Sequence, residues 1–554
     1  MRKFRSRFET PRVKISREAF ENSGIEIFSS EKIPFADRTG PTIAGELISL
    51  LTARINKLDY KKRIHVYELG AGTGMLAIRI LDLLKNRHKD IYRRTIFHVS
   101  DVSKPAIAQL RILPVFKKHR GHVFFEVINA IDPKFTYKPL LVYFTNLIDS
   151  LPHRQIMVKD REIFEFQVQT SLKKDAQIID TTSYPPRLLE GKQIVNLLAS
   201  DNIDRRLTLA PQILTILEEK SKFVPIAKVP DISKEEREDL KNLAASQNKD
   251  KPLTFNYSFP VRTAIGNIFR QLENGGFMFF SDFGFTSGQY EKAQHMECGL
   301  LIFFSVDFLS LKQAAKTAGA AYYLTSNPPG YPQEMLIDTL LRDKHMPKLF
   351  SKKSVGGLQE QVNAFIQKAR TLLLQSPEEI TRLYNSLSRE TQNDYLLLTN
   401  LSFLLLQTGF YKEAEHYADI LFRKYGYSVG IYYYLVKGKV EQEWGNLKTA
   451  EKFFKKAIGD KKGFLAYAYL GELYWQEKRY KEYIKTLKEY LKYTRRGDHL
   501  KSMLSIALAQ EKLSDKKSAQ KTLEIIIDIG QKLKKISQAE KEILFQAEKQ
   551  LTVV

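Results

Sequence analysis

The sequence predicts a Rossmann-like α/β domain with an inserted lobe, followed by an all-α solenoid. Apolar strand-like segments alternate with amphipathic helix-like segments from about residue 40 to residue 145, and the alternation resumes after residue 261. Beyond residue 377, helix-like segments recur with a period of roughly 34 residues. The chain has 554 residues, which is too many for one hydrophobic core.

The α/β part is predicted from repeated strand–helix units. Ile43–Ile55 has the pattern of an amphipathic helix, and Ser103 is placed to cap a helix with Pro105 in its first turn. Repeated βα units predict a parallel, doubly wound sheet with right-handed crossovers. Its predicted strands are Ile64–Glu68, Arg94–Ser100, Val123–Ile128, Pro139–Phe144 and Phe277–Ser281.

The alternation of strand-like and helix-like segments is interrupted between residues 156 and 255, where we predict an inserted lobe that covers or selects a substrate. Ile163–Gln169 alternates like a half-exposed strand, and Asp231–Asp250 is charged and predicted as loop or loose helix. The predicted organisation is therefore a first domain over 1–350 containing this lobe, a linker helix over 351–376 and helical repeats over 377–554.

The C-terminal repeats resemble tetratricopeptide (TPR) units. Small or aromatic residues close successive segments at Ala414, Ala450, Tyr483 and Ala519. About four helix pairs fit, with Ala539–Leu551 as a terminal cap. Stacked pairs form a solenoid whose concave face commonly binds proteins. A generic helical bundle is the alternative interpretation.

The segment Glu68-Leu-Gly-Ala-Gly-Thr-Gly74 lies between a predicted strand and a predicted helix. Glycines allow a sharp turn on which a ligand can lie directly. A dinucleotide-binding turn would prefer G-x-G-x-x-G, and the acid that opens this turn attracts an ammonium group but repels a phosphate. The segment therefore favours S-adenosylmethionine (SAM) over NAD, although an ordinary tight turn remains the alternative.

Polar residues at successive strand ends extend this predicted site. Asp101 is placed to accept the ribose hydroxyls, and Asn129 lies near the expected adenine edge. Asn146 and Asp149 follow the fourth strand and are predicted to lie nearest the methyl group, as the catalytic candidates. Asp101 could instead be a helix N-terminal acid, and Asn129 a turn residue. The full predicted cofactor set is Glu68, Gly70, Ala71, Gly72, Gly74, Asp101, Val102, Asn129, Ala130 and Asn146.

Composition limits the remaining classes. The formal net charge of +24 would attract nucleic acid, but the basic residues are spread along the chain and support that partner weakly. The single cysteine excludes an intramolecular disulfide framework and suits a reducing cytoplasm, where we expect the protein. The chain lacks the apolar run of about 18 or more residues that a membrane span needs. Its histidines show no metal-ligand spacing, so no metal is expected.

Six segments along residues 40–345 occur in the order of one known family pattern. They are Gly45-Glu-Leu47, Glu68–Gly74, Val99-Ser-Asp-Val-Ser103, Asn146–Pro152 with Gln155, Gly275–Gly284 and Val306-Asp-Phe308. On these segments the chain resembles the MidA-like SAM-dependent methyltransferases, which include the mitochondrial complex I assembly methyltransferases. The resemblance implies a class I methyltransferase fold, SAM as methyl donor and, for the mitochondrial members, methylation of protein arginine. The TPR array is not part of the usual family pattern.

One departure affects the predicted chemistry. Where the family has Asn-Glu, this chain has Asn146-Leu147, and a family acid before the fifth-strand helix is replaced by Asn256. A carboxylate can orient a guanidinium through two hydrogen bonds, and leucine cannot. Either Asp149 or Glu165 compensates, the acceptor is not arginine, or catalysis is lost while SAM binding survives.

The sequence therefore supports three hypotheses. The first is a methyltransferase that modifies a protein recruited by the repeats. The second is a TPR scaffold or assembly factor whose methyltransferase-like domain binds SAM with weak or no activity. The third, which rests only on the basic charge, is a nucleic-acid methyltransferase. The methylated atom, the partner and the oligomeric state are not predicted.

Overall fold

The structure is a computed structural model, and it describes residues 3–24, 27, 35–182, 185–245, 252–286, 295–325, 327, 332–340, 346, 350, 357–372, 377–392, 395–425, 430–459, 464–493 and 496–553. The described residues form two compact units. Unit 1 comprises residues 1–169 and 219–361, and unit 2 comprises residues 170–218 and 362–554. The predicted domain limits stay a prediction. Residues 170–218, which fall inside the predicted lobe, belong to unit 2.

The strands are numbered in chain order. They are β1 Arg5–Ser6, β2 Ile64–Leu69, β3 Thr95–Asp101, β4 Val123–Val127, β5 Leu141–Thr145, β6 Arg154–Lys159, β7 Glu162–Leu172, β8 Gln177–Asp180, β9 Arg187–Glu190, β10 Leu217–Pro225, β11 Leu253–Tyr257, β12 Phe277–Phe285, β13 His295–Cys298, β14 Leu301–Phe304, β15 Val306–Asp307, β16 Ala321–Leu324 and β17 Pro332–Asp338.

The helices follow the same convention. They are α1 Pro11–Asn22, α2 Phe35–Leu58, α3 Met75–Arg87, α4 Lys89–Arg94, α5 Lys104–Ile112, α6 Gly191–Ala199, α7 Ile203–Ile213, α8 Lys234–Ala245, α9 Phe259–Gln271, α10 Phe308–Thr317, α11 Gly357–Leu372, α12 Pro377–Asn385, α13 Arg389–Gln392, α14 Tyr395–Gln407, α15 Tyr411–Tyr425, α16 Gly430–Glu443, α17 Leu447–Ile458, α18 Phe464–Gln476, α19 Tyr480–Tyr490, α20 Arg496–Lys512, α21 Lys516–Lys532 and α22 Gln538–Leu551.

The central sheet of unit 1 has the strand order β16-β17-β12-β5-β2-β3-β4, with β15 paired to β12. The five predicted strands are confirmed as β2, β3, β4, β5 and β12, and their mutual pairings are parallel. The prediction of a parallel sheet is therefore confirmed for these five strands. β17 pairs antiparallel with both β12 and β16, so the sheet is mixed.

Both faces of this sheet are covered, as expected for parallel strands with alternating helices. One hydrophobic cluster joins α2 and α3 to one face, and a second joins α9 and α10 to the other. Arg54 of α2 forms a fully buried ion pair with Asp338 at the end of β17, with an Nη1–Oδ1 distance of 2.9 Å, and also donates to the Gly275 carbonyl. This pair fastens the antiparallel strand to the helix that precedes β2.

A second, antiparallel sheet of unit 1 has the order β1-β7-β6-β11, with β10 paired to β7. The strand predicted at Ile163–Gln169 is confirmed within β7, and the predicted charged segment contains helix α8. Residues 246–250 of that segment lie outside the described residues. β1 pairs with β7, and α1 packs beside β14, so the described N-terminal residues are part of the fold.

Unit 2 contains paired antiparallel helices, α14 to α22, in which each helix packs on the next along the chain. The turn inside each pair uses a left-handed residue at Gly409, Gly445, Lys478 and Ser514, so the turns recur every 33 to 36 residues. Left-handed geometry suits glycine, which ends a helix at no steric cost. This recurrence agrees with the predicted repeat period.

Small residues allow close contact between the helices of each pair. Gly438 of α16 faces the Phe454 ring of α17 at a distance that leaves no room for a Cβ atom. The predicted closing residues Ala414, Ala450 and Ala519 are fully buried.

The segment 170–218 completes the C-terminal end of unit 2. Ile179 of β8 is buried in the same cluster as Leu500, Met503 and Ile526. The buried Gln177 side chain donates to the Lys532 carbonyl and accepts from the Lys534 amide, both at 2.9 Å. A strand hairpin from the first half of the chain is thereby fastened to the last repeat.

Candidate functional site

The predicted glycine turn connects β2 to α3. Gly70, Gly72 and Gly74 have φ angles of +69°, +53° and +68°, which lie in the left-handed region that favours glycine. Ala71 donates its amide to the Ser100 carbonyl at 2.9 Å, so the turn is bonded to the neighbouring strand β3. The turn therefore presents backbone rather than side chains along these three positions.

Two of these glycines also lack space for a side chain. A Cβ atom on Gly74 would lie 2.8 Å from Leu110 Cδ2 and 3.1 Å from Phe116 Cζ. A Cβ atom on Gly70 would lie 2.8 Å from Leu147 Cδ1. The second contact brings the turn after β2 against the turn after β5, where sequence predicts the transfer position.

Glu68, the acid that opens the turn, is buried in β2 with 3% exposure. The Tyr143 hydroxyl of β5 lies beside its carboxylate. Burial, reinforced by the Glu68 charge, raises the pKa of Tyr143 well above its ordinary value. Sequence reasoning missed Tyr143, whose only signal was a hydroxyl-bearing residue in an otherwise apolar strand.

Asp101 ends β3 and bonds both to the glycine turn and to its own helix. Its Oδ2 accepts from the Gly72 amide at 3.1 Å, and its Oδ1 accepts from the Ser103 amide at 2.9 Å. Burial raises the pKa of Asp101, and these amides oppose that rise. Each carboxylate oxygen keeps further acceptor capacity, so a ligand hydroxyl could still bond to it. The predicted Ser103 cap is confirmed by its bond from the Ala106 amide.

The other predicted adenine-side residues are Val102, which follows Asp101 in sequence, and Asn129 and Ala130, which follow the neighbouring strand β4. Val102 is 40% exposed and follows Asp101 directly. The Ile128 amide donates to the Asp101 carbonyl at 3.1 Å, which places the start of the next turn beside β3. Asn129 is exposed and its side chain accepts from the Ile131 amide, whereas Ala130 is half-buried against the hydrophobic cluster beneath.

The turn after β5 is built around a residue outside the predicted site, Asp282 of β12. Asn146 has a left-handed φ of +48° and donates its amide to the Ser281 carbonyl at 2.9 Å. The next three amides, of Leu147, Ile148 and Asp149, all donate to Asp282 Oδ2 at 3.1, 2.8 and 3.3 Å.

Asp149 and Asp282 form a buried carboxyl pair. Burial raises the pKa of Asp149 well above its ordinary value, and the Asp282 charge adds to the rise. Burial also raises the pKa of Asp282 to about 7, with the amide donors opposing the rise. The available sequence signal for Asp282 was its position at the end of the fifth predicted strand.

Glu165, suggested as a compensating acid, is already engaged. It is fully buried and accepts from Arg154 at 2.7 Å, from Gln167 at 3.0 Å and from the Ser6 hydroxyl. Its carboxylate is therefore paired with Arg154 within the second sheet, and compensation by Glu165 stays a prediction. Asn256 donates to the Ser305 carbonyl at 2.9 Å and links β11 to the strand before α10.

A separate cavity of about 730 Å³ lies wholly within unit 2, so it is not the predicted SAM site. Its walls come from the β8–β9 hairpin and from α6 and α7. Arg205 forms a 2.6 Å ion pair with Asp180 there. Within the described ranges, no helix is long and apolar enough to cross a membrane.

Residues 47–325, just over half of the chain, match a family described as "Putative S-adenosyl-L-methionine-dependent methyltransferase". The chain belongs to this family. It is a SAM-dependent methyltransferase, and S-adenosyl-L-methionine is its cofactor. No functionally curated protein sequence matches this methyltransferase.

Several solved structures resemble parts of the methyltransferase at low identity. A COG1565 superfamily protein from Burkholderia thailandensis is 13% identical with a TM-score of 0.40, covering 63% of this chain and 90% of that chain. A second COG1565 member from the same organism, bound to S-adenosyl-homocysteine, is 14% identical with a TM-score of 0.37, covering 56% and 79%. MamA from Desulfovibrio magneticus is 18% identical with a TM-score of 0.26, covering 33% and 100%.

Proposed function

We propose that this methyltransferase transfers a methyl group from SAM to a protein side chain, and that the helical repeats of unit 2 recruit the substrate. The proposed cofactor placement rests on the contacts between the carboxyl ends of three strands, β2, β3 and β5. The glycine turn after β2 is bonded to Asp101 of β3 and packed against Leu147 after β5. Ligands of open α/β sheets bind at this carboxyl edge.

The residues at this edge fit SAM. Glu68 would accept hydrogen bonds from the ammonium of the methionine part, and Gly70, Gly72 and Gly74 add no side chains of their own to the turn. Asp101 would accept from the ribose hydroxyls, with Val102, Asn129 and Ala130 on the adenine side. When bound, SAM supplies a methyl group on a positively charged sulfur.

We place the acceptor beside the turn after β5, where Asn146 and Asp149 are the catalytic candidates. What this turn must do is hold the nucleophile about 3 Å from the methyl carbon and in line with the bond that breaks. The resemblance to MidA-like enzymes favours protein arginine as acceptor. Leu147 departs from that pattern, because it offers no carboxylate to a guanidinium.

The TPR resemblance of unit 2 supports a protein partner, recruited on the concave face of the repeats. A second candidate function is a scaffold that binds SAM with weak or no transfer. Leu147 favours it, because its side chain packs on Gly70 where the family pattern has an acid. A nucleic-acid acceptor has only the net charge of +24 in its support.

Calorimetry with SAM tests the cofactor placement. We expect Glu68→Gln to weaken SAM binding, because a neutral amide loses the charge attraction to the ammonium. Glu162→Gln is the matched control, since Glu162 is exposed at the start of β7. Equal affinities of the two variants would remove Glu68 from the site.

Radiolabelled SAM tests the acceptor. The full chain is used to capture proteins, the captured fraction is incubated with labelled SAM, and methylated residues are identified by mass spectrometry. Label on a captured protein supports the protein substrate. SAM binding without label on any captured protein favours the scaffold, and label on added RNA or DNA favours the nucleic-acid acceptor.

A further inference from the structure

Asp282 is unusual because its single carboxylate collects four backbone amides. Oδ2 accepts from three consecutive residues, 147 to 149, and Oδ1 accepts from the Phe283 amide at 2.8 Å. The side chain is fully buried. Consecutive amides that converge on one point form a concave anion site, and here a carboxylate from a different strand fills it.

Asp149 is the immediate partner of this carboxylate. It is 4% exposed, and its carboxyl group lies beside that of Asp282. A hydrogen bond between two carboxyl groups requires one proton. The four amides stabilise negative charge on Asp282, so Asp149 is the member that keeps the proton and donates it.

The pair determines where the turn after β5 lies. The three amides fasten residues 147–149 to β12, and the Asn146 amide adds a bond to Ser281 of the same strand. Leu147 is thereby held with its Cδ atoms against Gly70 of the glycine turn.

We propose that Asp282 and Asp149 are a positioning pair for the transfer site. Asp282 acts as the hydrogen-bond acceptor that holds the turn, and Asp149 acts as its proton donor rather than as a base toward the methyl acceptor. This assignment rests on the proposed placement of SAM and acceptor at this edge. The turn then presents no ionised carboxylate, so the acceptor that suits it has an uncharged nucleophilic atom, and a guanidinium would need its carboxylate from elsewhere.

The first test needs neither cofactor nor activity. Amide hydrogen exchange of the full chain should show residues 147–149 protected, and Asp282→Asn should accelerate their exchange by about tenfold or more. Asp307→Asn is the matched control, since Asp307 is also a buried acid of unit 1 but its side chain caps α10. Exchange at residues 147–149 that is unchanged in Asp282→Asn would overturn the anchoring role.

The second test separates a proton donor from a base. An asparagine at position 149 can still donate a hydrogen bond to Asp282, whereas alanine cannot. We therefore expect Asp149→Ala to weaken SAM binding and lower kcat/KM, and Asp149→Asn to recover most of both losses. Loss of kcat in Asp149→Asn as deep as in Asp149→Ala, with SAM affinity retained, would identify Asp149 as the base.

A spectroscopic signature completes the assignment. The infrared band of a buried carboxylic acid should be present in the protein without ligand and absent in Asp149→Asn. A band that survives this substitution would overturn the proton assignment. Failure of the wild-type protein to bind SAM would refute the proposed placement of the cofactor, whereas these exchange and infrared measurements would still decide the carboxyl pair.

Discussion

Gly74→Ala is the substitution whose cost the structure defines most closely. Gly74 has a φ of +68°, and an alanine in this left-handed backbone conformation costs about 1–2 kcal/mol. The same Cβ would lie 2.8 Å from Leu110, and relieving such overpacking typically costs about 1–3 kcal/mol more. We therefore expect unit 1 to lose about 2–5 kcal/mol in free energy of unfolding.

Gly121→Ala is the matched control. Gly121 lies in the same unit with a φ of +86°, but a Cβ there meets nothing within 4 Å. It should cost only the backbone term of about 1–2 kcal/mol. The difference between the two variants isolates the packing cost against Leu110 and Phe116.

The two units can be followed separately in one urea titration. The chain has two tryptophans, Trp444 and Trp475, and both lie in unit 2. Circular dichroism should show an earlier transition for Gly74→Ala, while tryptophan fluorescence keeps the wild-type midpoint. SAM affinity should fall as well, because the substitution displaces the end of the glycine turn. A Gly74→Ala protein that is as stable as Gly121→Ala would refute this account of the turn.

Three further predictions concern the carboxyl pair and the repeats. Burial raises the pKa of Asp282 to about 7 and that of Asp149 well above its ordinary value, so the pair stabilises the fold fully below about pH 4 and loses that contribution as pH rises through about 7. The difference in free energy of unfolding between the wild type and the double variant Asp149→Asn/Asp282→Asn should therefore shrink from pH 5 to pH 8. A difference that stays constant over this range would contradict the pKa shifts. Gly438→Ala should destabilise unit 2 by about 1–3 kcal/mol in urea unfolding followed by tryptophan fluorescence, whereas Gly497→Ala, which meets no neighbour, should stabilise it by about 0.5–1 kcal/mol. Lys478→Gly relieves a left-handed lysine at φ +57° and should raise the stability of unit 2 by up to about 1 kcal/mol; no gain, or the same gain from Lys478→Ala, would count against strain at this turn.

Local patterns were sufficient to predict the parallel strands and the glycine turn. Ile64–Glu68 followed by G-x-G-x-G specifies strand, turn and helix within some twenty residues, and the physical causes, apolar runs and missing Cβ atoms, are contained in the segment itself. The repeat period was predictable for the same reason, since the left-handed turn and the small helix-contact residue recur within each unit.

Features that depend on distant partners were not predictable. β17 has only three consecutive apolar residues, Met335 to Ile337, and nothing in Pro332–Asp338 indicates that it pairs antiparallel with β12. Asp282 was visible as a strand-end acid, yet three of its four amide donors come from residues 147–149 and depend on the folded β5–β12 contact. The membership of residues 170–218 in unit 2 likewise rests on pairings such as Gln177 with Lys532, more than 300 residues away in sequence.

The hairpin that carries Gln177 therefore sets an order of events during synthesis. Residues 177–190 leave the ribosome long before α20 and α21, against which Ile179 is buried, have been made. The entropy cost of closing the loop between this hairpin and residue 532 grows only slowly with loop length. The contact between them is non-local, however, and cannot form until the last repeat has been made. The hairpin can thus find its partners only once residues up to 534 have been made, and a chain cut before residue 532 would leave the hairpin without the Lys532 and Lys534 backbone groups that it binds.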